Sequence, residues 1–384
     1  MFFSCTAQQH DQCGHSLGDW SSYSDNGTTE ESNGVASARA PKAKHQKSKR
    51  GRDRTVDIHC HYFNPEVAAK AAPLKPHEKE PSIVFANQLT RDVNMTQGKV
   101  RGAKLSDITV RLSDMDRMGI DVQAISPAPI QYYYYADAGF GLELARSVND
   151  RIADIAASHP KRFVGIGSVP LQNAGMATRE LERCVNKLDM RGVEIGTNVN
   201  GIDLADKRLG LDKFFAKAEQ LGVVIFLHPM GFTHADRMTD YYLNNLIGNP
   251  LESTLAVSHM IFGGVLDRFP KLKVCVPHGG GYMAHAFARM DHGWKVRPDA
   301  QTYIKKKPSS YLKKLYFDTV TFDTDLLQGL VTMFGAGKVM MGSDYPFDMG
   351  DDDPVKLVNS VPGLSDADRR KVLGGNAKRL LKIE

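Results

Sequence analysis

His59 and His61 stand two residues apart in DIHCH, at the end of a short apolar run. Three more groups able to hold a metal close later runs: His228 in VIFLHP, His278 in CVPHGGG and Asp344 in MMGSDYPF. Alternate side chains of a β-strand share a face, so His59 and His61 can reach one ion while Cys60 turns away into packing. Three neutral imidazoles and a carboxylate suit Zn²⁺ or another borderline divalent ion and leave a position for water or substrate. Each residue alone has an ordinary structural reading; an H-x-H pair in a strand is commonly incidental, and Asp344 in SDYP can start a turn. Their shared placement, at the same end of different strands, sets them apart.

That placement depends on the elements that carry them. Strands are expected at TVDIH (55–59), VQAIS (122–126), FVGIGS (163–168), GVEIG (192–196), VVIFLH (223–228), KVCVPH (273–278), LYFDT (315–319) and KVMMGSD (338–344). Between them lie segments with apolar residues at three- and four-residue intervals, such as LSDITVRLSDMDRMG, LELARSVNDRIADIAASH and LESTLAVSHMIFGGVLDRF, which read as one-sided helices. Eight strands, each followed by helix or long loop, make an α/β chain of the (β/α)8 TIM-barrel class. An open doubly wound sheet fits the same alternation, but the turn after the first strand is CHYFNP rather than a glycine-rich phosphate loop. In a barrel the C-terminal strand ends converge on one mouth, so residues nearly 300 positions apart meet there. The segment 62–104 exceeds an ordinary connecting loop and is expected as an inserted lid after the first strand.

The chain has 384 residues, 42% hydrophobic and 24% charged, which excludes wholesale disorder, collagen and a disulfide scaffold. No apolar run reaches the ~18 residues of a membrane span, so no membrane partner is expected. The net charge is +5, and its only concentrated block is the basic run KAKHQKSKRGR within residues 1–54. That stretch lacks aliphatic periodicity and is expected to be a disordered leader, with the barrel occupying 55–384. No aromatics interleave with the bases, and no nucleic-acid partner is expected. Five widely spaced cysteines, an odd number without a C-x-x-C pair, point to a reducing, cytoplasmic setting. The first residues have neither the basic nor the apolar region of a secretory signal.

The motifs DIHCHYFNP, MGIDVQAIS, RFVGIGSVP, GVEIGT, FLHP, FPKLKVCVPHGGG and GSDYPF run in this order from about Val56 to Leu381. Together they resemble the amidohydrolase-superfamily decarboxylases typified by aminocarboxymuconate-semialdehyde decarboxylase. The resemblance implies one Zn²⁺ held by His59, His61, His228 and Asp344. It makes His278 the acid/base that activates metal-bound water rather than a further ligand. It implies that Arg101 in GKVR and Arg289 in FARM grip substrate carboxylates, a task for which a planar guanidinium is suited. The second arginine would act across a homodimer interface. The implied reaction is non-oxidative decarboxylation of a small unsaturated or aromatic carboxylic acid.

Two regions depart from the family pattern. Pro229, Met230 and Gly231 stand where an aromatic residue and an acid are usual, and the loop after the second strand is a run of tyrosines, Tyr132–Tyr135. The tyrosines are expected to line the mouth and stack on an unsaturated substrate, or to pack a lid. A hydroxybenzoate becomes a credible substrate, although retention of His59 tilts toward the semialdehyde type. The rival activity is mononuclear hydrolysis of a lactone or amide. Binuclear relatives carry a bridging lysine on the fourth strand, and GVEIGT has none. His259, His285 and His292 are read as helix or interface residues.

Overall fold

The structure is a computed structural model that describes residues 53–384; the expected leader, apart from its last two residues, lies outside them. The strands are β1 (Val56–Tyr62), β2 (Val122–Pro127), β3 (Phe163–Gly165 and Gly167–Ser168, on either side of Ile166) and β4 (Gly192–Gly196). They continue as β5 (Val224–His228), β6 (Lys273–Val276), β7 (Tyr316–Asp318) and β8 (Val339–Met340). Each pairs in parallel with the next. The ring closes where Ile58 N–H donates to the Met341 carbonyl at 2.9 Å and Cys60 bridges in parallel to Tyr345. All eight expected strands are therefore present, in order, in a closed barrel.

Alternation along the strands divides the interior from the helix-facing layer. In β5, Val224 and Phe226 belong to an inner cluster and Ile225 and Leu227 to an outer one, which places His228 on the inner side. In β1, Val56 and Ile58 are inner while Cys60 and Tyr62 are outer, as expected for the cysteine. A register irregularity between Asp57 and Cys60 shifts the phase, so His59 and His61 also face inward. The C-terminal helix Asn376–Leu381 adds Ala377, Leu380 and Leu381 to the inner cluster.

The long helices are α1 (Gln88–Ser106), α2 (Ile108–Met118), α3 (Ala138–Ser158), α4 (Ala174–Lys187), α5 (Asp212–Leu221), α6 (Asn249–Phe262), α7 (Met283–Val296) and α8 (Thr324–Phe334). The expected helix 105–119 is cut at Asp107, whose side chain caps α2 by accepting from Thr109 N at 2.7 Å. The expected helix 251–269 breaks at Gly264, which adopts φ +72, a conformation that would strain any other residue. The insertion is largely helical rather than loop. It holds the short helix Pro65–Ala71, the turn Pro81–Val84 and nearly all of α1, which runs two residues past its expected end, buries none of its side chains and exposes Leu89, Val93 and Val100. Leu89, Val93 and Val100 share a face of this helix, but they are few among polar residues and stay exposed, so periodicity gives only a weak signal of it. No described helix is long and apolar enough to cross a membrane.

Candidate metal centre and active site

The five residues singled out by spacing meet at the C-terminal mouth of the barrel. His59 Nε2 lies 3.0 Å from His61 Nε2, and the two are 3.2 and 3.1 Å from Asp344 Oδ1. The His228 ring centroid is 4.7 Å from that of His61 and 5.1 Å from that of His59. His59, His228, His278 and Asp344 each present a ligand atom within 4.8 Å of the others. Geometry alone thus brings His278 into the same cluster.

The hydrogen bonds separate the imidazoles into two kinds. His59 Nδ1 bonds Asp318 Oδ2 at 2.6 Å, His61 Nδ1 bonds the Pro127 carbonyl at 3.1 Å, and His228 Nδ1 bonds the Pro229 carbonyl at 2.7 Å. Each acceptor takes the Nδ1 proton and so aims Nε2 at the centre. His228 Nε2 and Asp344 Oδ1 are buried without a hydrogen-bond partner. Several lone pairs and a carboxylate converging on one dry point repel one another until a cation occupies it, so the donor set fits a divalent metal. His278 differs. Its Nδ1 has no acceptor, and its side chain is 16% exposed where those of His59 and His61 are wholly buried.

Charge follows the same arrangement. Burial works to raise the Asp344 carboxyl, but His59, His278 and His61 outweigh it and hold it well below the usual carboxylate range. Burial and then the neighbouring imidazoles push His228 well below its ordinary value, so it stays neutral and ready to coordinate. Burial also opposes the charge on His59, yet Asp344 and Asp318 raise it well above its ordinary value. A proton there offsets the acids when no cation does. Metal uptake at neutral pH is therefore expected to release protons, with apparent affinity rising as pH rises; calorimetry in buffers of different ionisation enthalpy checks this.

The backbone is bent to the site. His278 has φ +55 and Asp344 φ +57, left-handed conformations unusual for residues with a side chain and common at functional positions. Gly280, at φ +84, packs so closely on Phe317 that a Cβ would fall 2.5 Å from its ring, which accounts for a glycine of HGGG.

Residues 56–383 match the family described as Amidohydrolase. The chain belongs to the amidohydrolase family. It is 39% identical over 279 residues to 2-amino-3-carboxymuconate-6-semialdehyde decarboxylase of Dictyostelium discoideum, covering 72% of this chain and 77% of that one. The structure of 5-carboxyvanillate decarboxylase from Sphingomonas paucimobilis superposes with a TM-score of 0.77 at 28% identity, over 87% of this chain and 100% of that one. A dihydroxybenzoic acid decarboxylase from Polaromonas, with bound manganese and 2-nitroresorcinol, gives a TM-score of 0.73 at 24% identity, over 86% of this chain and 97% of that one. Within the family the chain is a metal-dependent decarboxylase, a carbon–carbon lyase.

Around this amidohydrolase centre stand residues that spacing did not single out. Asp318, at the end of β7, holds His59 with Oδ2 and accepts from Gly279 N with Oδ1 at 2.8 Å, tying the His59 ring to the loop that carries His278. An acid closing a barrel strand in LYFDT was the available signal. Asp318→Asn is expected to weaken metal affinity about 10–100-fold, as loss of an outer-shell carboxylate does, read by chelator competition. Asp57 accepts from His59 N, Ser343 N, Ser343 Oγ and Gln123 Nε2 at 2.6–3.0 Å, stitching β1 to the segment after β8. Fully buried Arg111 donates to the His61 carbonyl and to Gln123 Oε1. Glu194 on β4 takes the Tyr132 hydroxyl at 2.6 Å and lies 3.7 Å from His61 Nδ1. In sequence these four are single polar residues inside apolar or amphipathic runs, with no partner in view.

The arginines part company. Arg101, on α1, lines the mouth cavity of about 380 Å³ beside His228, His278 and Asp344, and its Nη1 donates to the Pro346 and Phe347 carbonyls at 2.8 and 3.1 Å. Arg289 is exposed on α7 and is not among the residues lining this chain's mouth. His285 and His292 are exposed on the same helix, and His259 faces Asp203 at 3.3 Å. Tyr132–Tyr135 do not line the metal cavity; all four border a neighbouring chamber.

Proposed function

We propose that this carboxy-lyase removes CO₂, without redox chemistry, from a small unsaturated or aromatic carboxylic acid. His59, His61, His228 and Asp344 hold one divalent ion, Zn²⁺ in the first instance, and His278 serves as acid/base. The observation that carries the assignment is the division among the imidazoles: three have Nδ1 tied to an acceptor and are buried, and His278 has neither restraint. An N/O donor set rich in imidazole suits zinc, although the Polaromonas relative holds manganese.

When bound, the ion supplies a Lewis-acid centre for a substrate oxygen. The chain's residues do the rest. Arg101 holds the substrate carboxylate through Nη2, its Nη1 being engaged by the Pro346 and Phe347 carbonyls and its Nε by Gln97 Oε1. Apolar cavity walls, among them Phe63, Phe85 and Phe347, flank an unsaturated body. The bond to the carboxylate breaks, its electron pair passes into the conjugated system, and His278 delivers a proton to the carbon that lost CO₂. The phenolic acids of the Sphingomonas and Polaromonas relatives and the muconate semialdehyde of the Dictyostelium relative share that conjugation.

CO₂ release from a panel of unsaturated and phenolic carboxylic acids, with matched metal analysis, tests the reading. Lactone or amide hydrolysis without CO₂ overturns it. Arg101→Met is expected to raise KM about 10–100-fold with a smaller change in kcat, as loss of a charged hydrogen-bond partner does, with partial rescue by Arg101→Lys. Exposure of Arg289 supports a homodimer in which it reaches the partner's mouth; sedimentation and mixing of Arg289→Ala with Asp344→Asn chains test it. A cytoplasmic setting is supported by Cys60, Cys184 and Cys275, buried thiols without disulfide partners.

A further inference from the structure

The four tyrosines border a chamber of about 500 Å³ that shares Phe85, Met230 and Gly231 with the metal cavity. Two of the rings are fixed: the Tyr132 hydroxyl is held by Glu194, and the Tyr134 hydroxyl accepts from Gly196 N at 3.1 Å. These two rings stack 5.5 Å apart, and Tyr133 meets Tyr135 edge-on at 6.2 Å. The wall is preorganised.

Glu80 lines the same chamber and is only 2% exposed. Its Oε1 makes no well-formed hydrogen bond, and the one donor beside it is the Tyr135 hydroxyl, itself without a well-formed partner. Burial pushes the Glu80 carboxyl up to about 8, against a weaker opposing effect of Tyr135. A buried carboxyl with a single imperfect donor is costly, and such groups in folded proteins are completed by another protein group, an ordered water or a bound ligand. The other charged or titratable groups on the chamber are Glu78, Lys79 and His234, besides the phenols. Glu78 is already paired with Lys75 at 3.2 Å, so it is the aromatic rings and the Glu80 carboxyl, rather than a surplus of acids, that favour a cation over an anion.

We propose that this chamber binds an organic ammonium group, ion-paired to Glu80 and packed against the rings of Tyr132–Tyr135. The ammonium belongs either to the far end of the substrate, through the wall shared with the metal cavity, or to a separate small molecule. Glu80→Gln keeps a neutral side chain of the same shape. Because the carboxyl is raised in the folded state, stability falls as pH rises between its unfolded value near 4.5 and about 8, and Glu80→Gln abolishes that fall. The variant is therefore expected to fold, which a melting curve checks.

The test is calorimetric titration of benzylamine and benzyl alcohol into the metal-loaded full chain. Benzylamine is expected to bind about ten-fold or more tighter than the alcohol and to release a proton near neutral pH, as Glu80 ionises. Glu80→Gln removes both effects, and Tyr135→Phe weakens amine binding several-fold with less effect on the alcohol. Equal affinity of amine and alcohol overturns the proposal, because water then suffices for Glu80. Amine binding unchanged in Glu80→Gln also overturns it, as does binding lost in Asp344→Asn instead. Competition with the carboxylic substrate assigns the ammonium to that substrate, and binding without competition assigns it to a separate molecule. The titration reads binding rather than CO₂ release, so its failure is distinct from failure of the decarboxylase reading.

Discussion

His278→Ala lowers kcat by about 100- to 10,000-fold while the purified variant retains its metal. The expectation rests on three differences between His278 and the other imidazoles. Its Nδ1 is not anchored, its side chain is partly exposed where the others are buried, and its Nε2 approaches Asp344 Oδ2 at a long 3.5 Å. A ring held this loosely contributes little to holding an ion but is free to move a proton. The control is metal content: loss of the ion in His278→Ala would make the residue a ligand. Trapping the product in deuterated solvent adds a second readout, because slowed protonation at carbon leaves substrate consumption and deuterium incorporation falling together.

Asp344→Asn is expected to lose the metal and all measurable turnover. Asp344 is the carboxylate of the cluster, and His59 and His61 both converge on its Oδ1. Replacing it with an amide leaves neutral imidazoles alone to hold a dication. The loss should exceed the about 10–100-fold typical of an outer-shell carboxylate such as Asp318. Elemental analysis and CO₂ release check the two halves separately. An Asp344→Asn protein that keeps one metal per chain and loses only turnover would move Asp344 from ligand to acid/base. The fold should persist, because Asp57 and Ser343, not the Asp344 side chain, hold the segment after β8 to β1.

Glu194 and Arg111 show where reading along the chain stops. Glu194 sits in GVEIG, and its acid looks like a lapse in an apolar strand. Arg111 stands at the i, i+4, i+7 spacing of Met115 and Met118, a lone charge in the apolar stripe of its helix with no partner in view along the chain. Both are wholly buried because partners 50 and 62 positions away, the His61 carbonyl and the Tyr132 hydroxyl, come to them in the folded barrel. The same limit applies to Tyr132–Tyr135, whose place after β2 agrees with a mouth position. Only the tertiary structure assigns them to the adjoining chamber.

What the sequence determined by itself was the ring of strands and the cluster at its mouth. Short apolar runs alternating with one-sided helices admit few closed topologies, and the C-terminal strand ends of a barrel meet at one mouth, so spacing alone placed His59, His61, His228, His278 and Asp344 together. Local signals of this kind survive in one dimension because they repeat with the period of the element. What only the tertiary structure decided was which nitrogen each imidazole turns inward, and which residues beyond the five complete the site. Those choices are made by single long-range hydrogen bonds, such as Asp318 to His59 across 259 positions, and a lone bond leaves no period in the sequence.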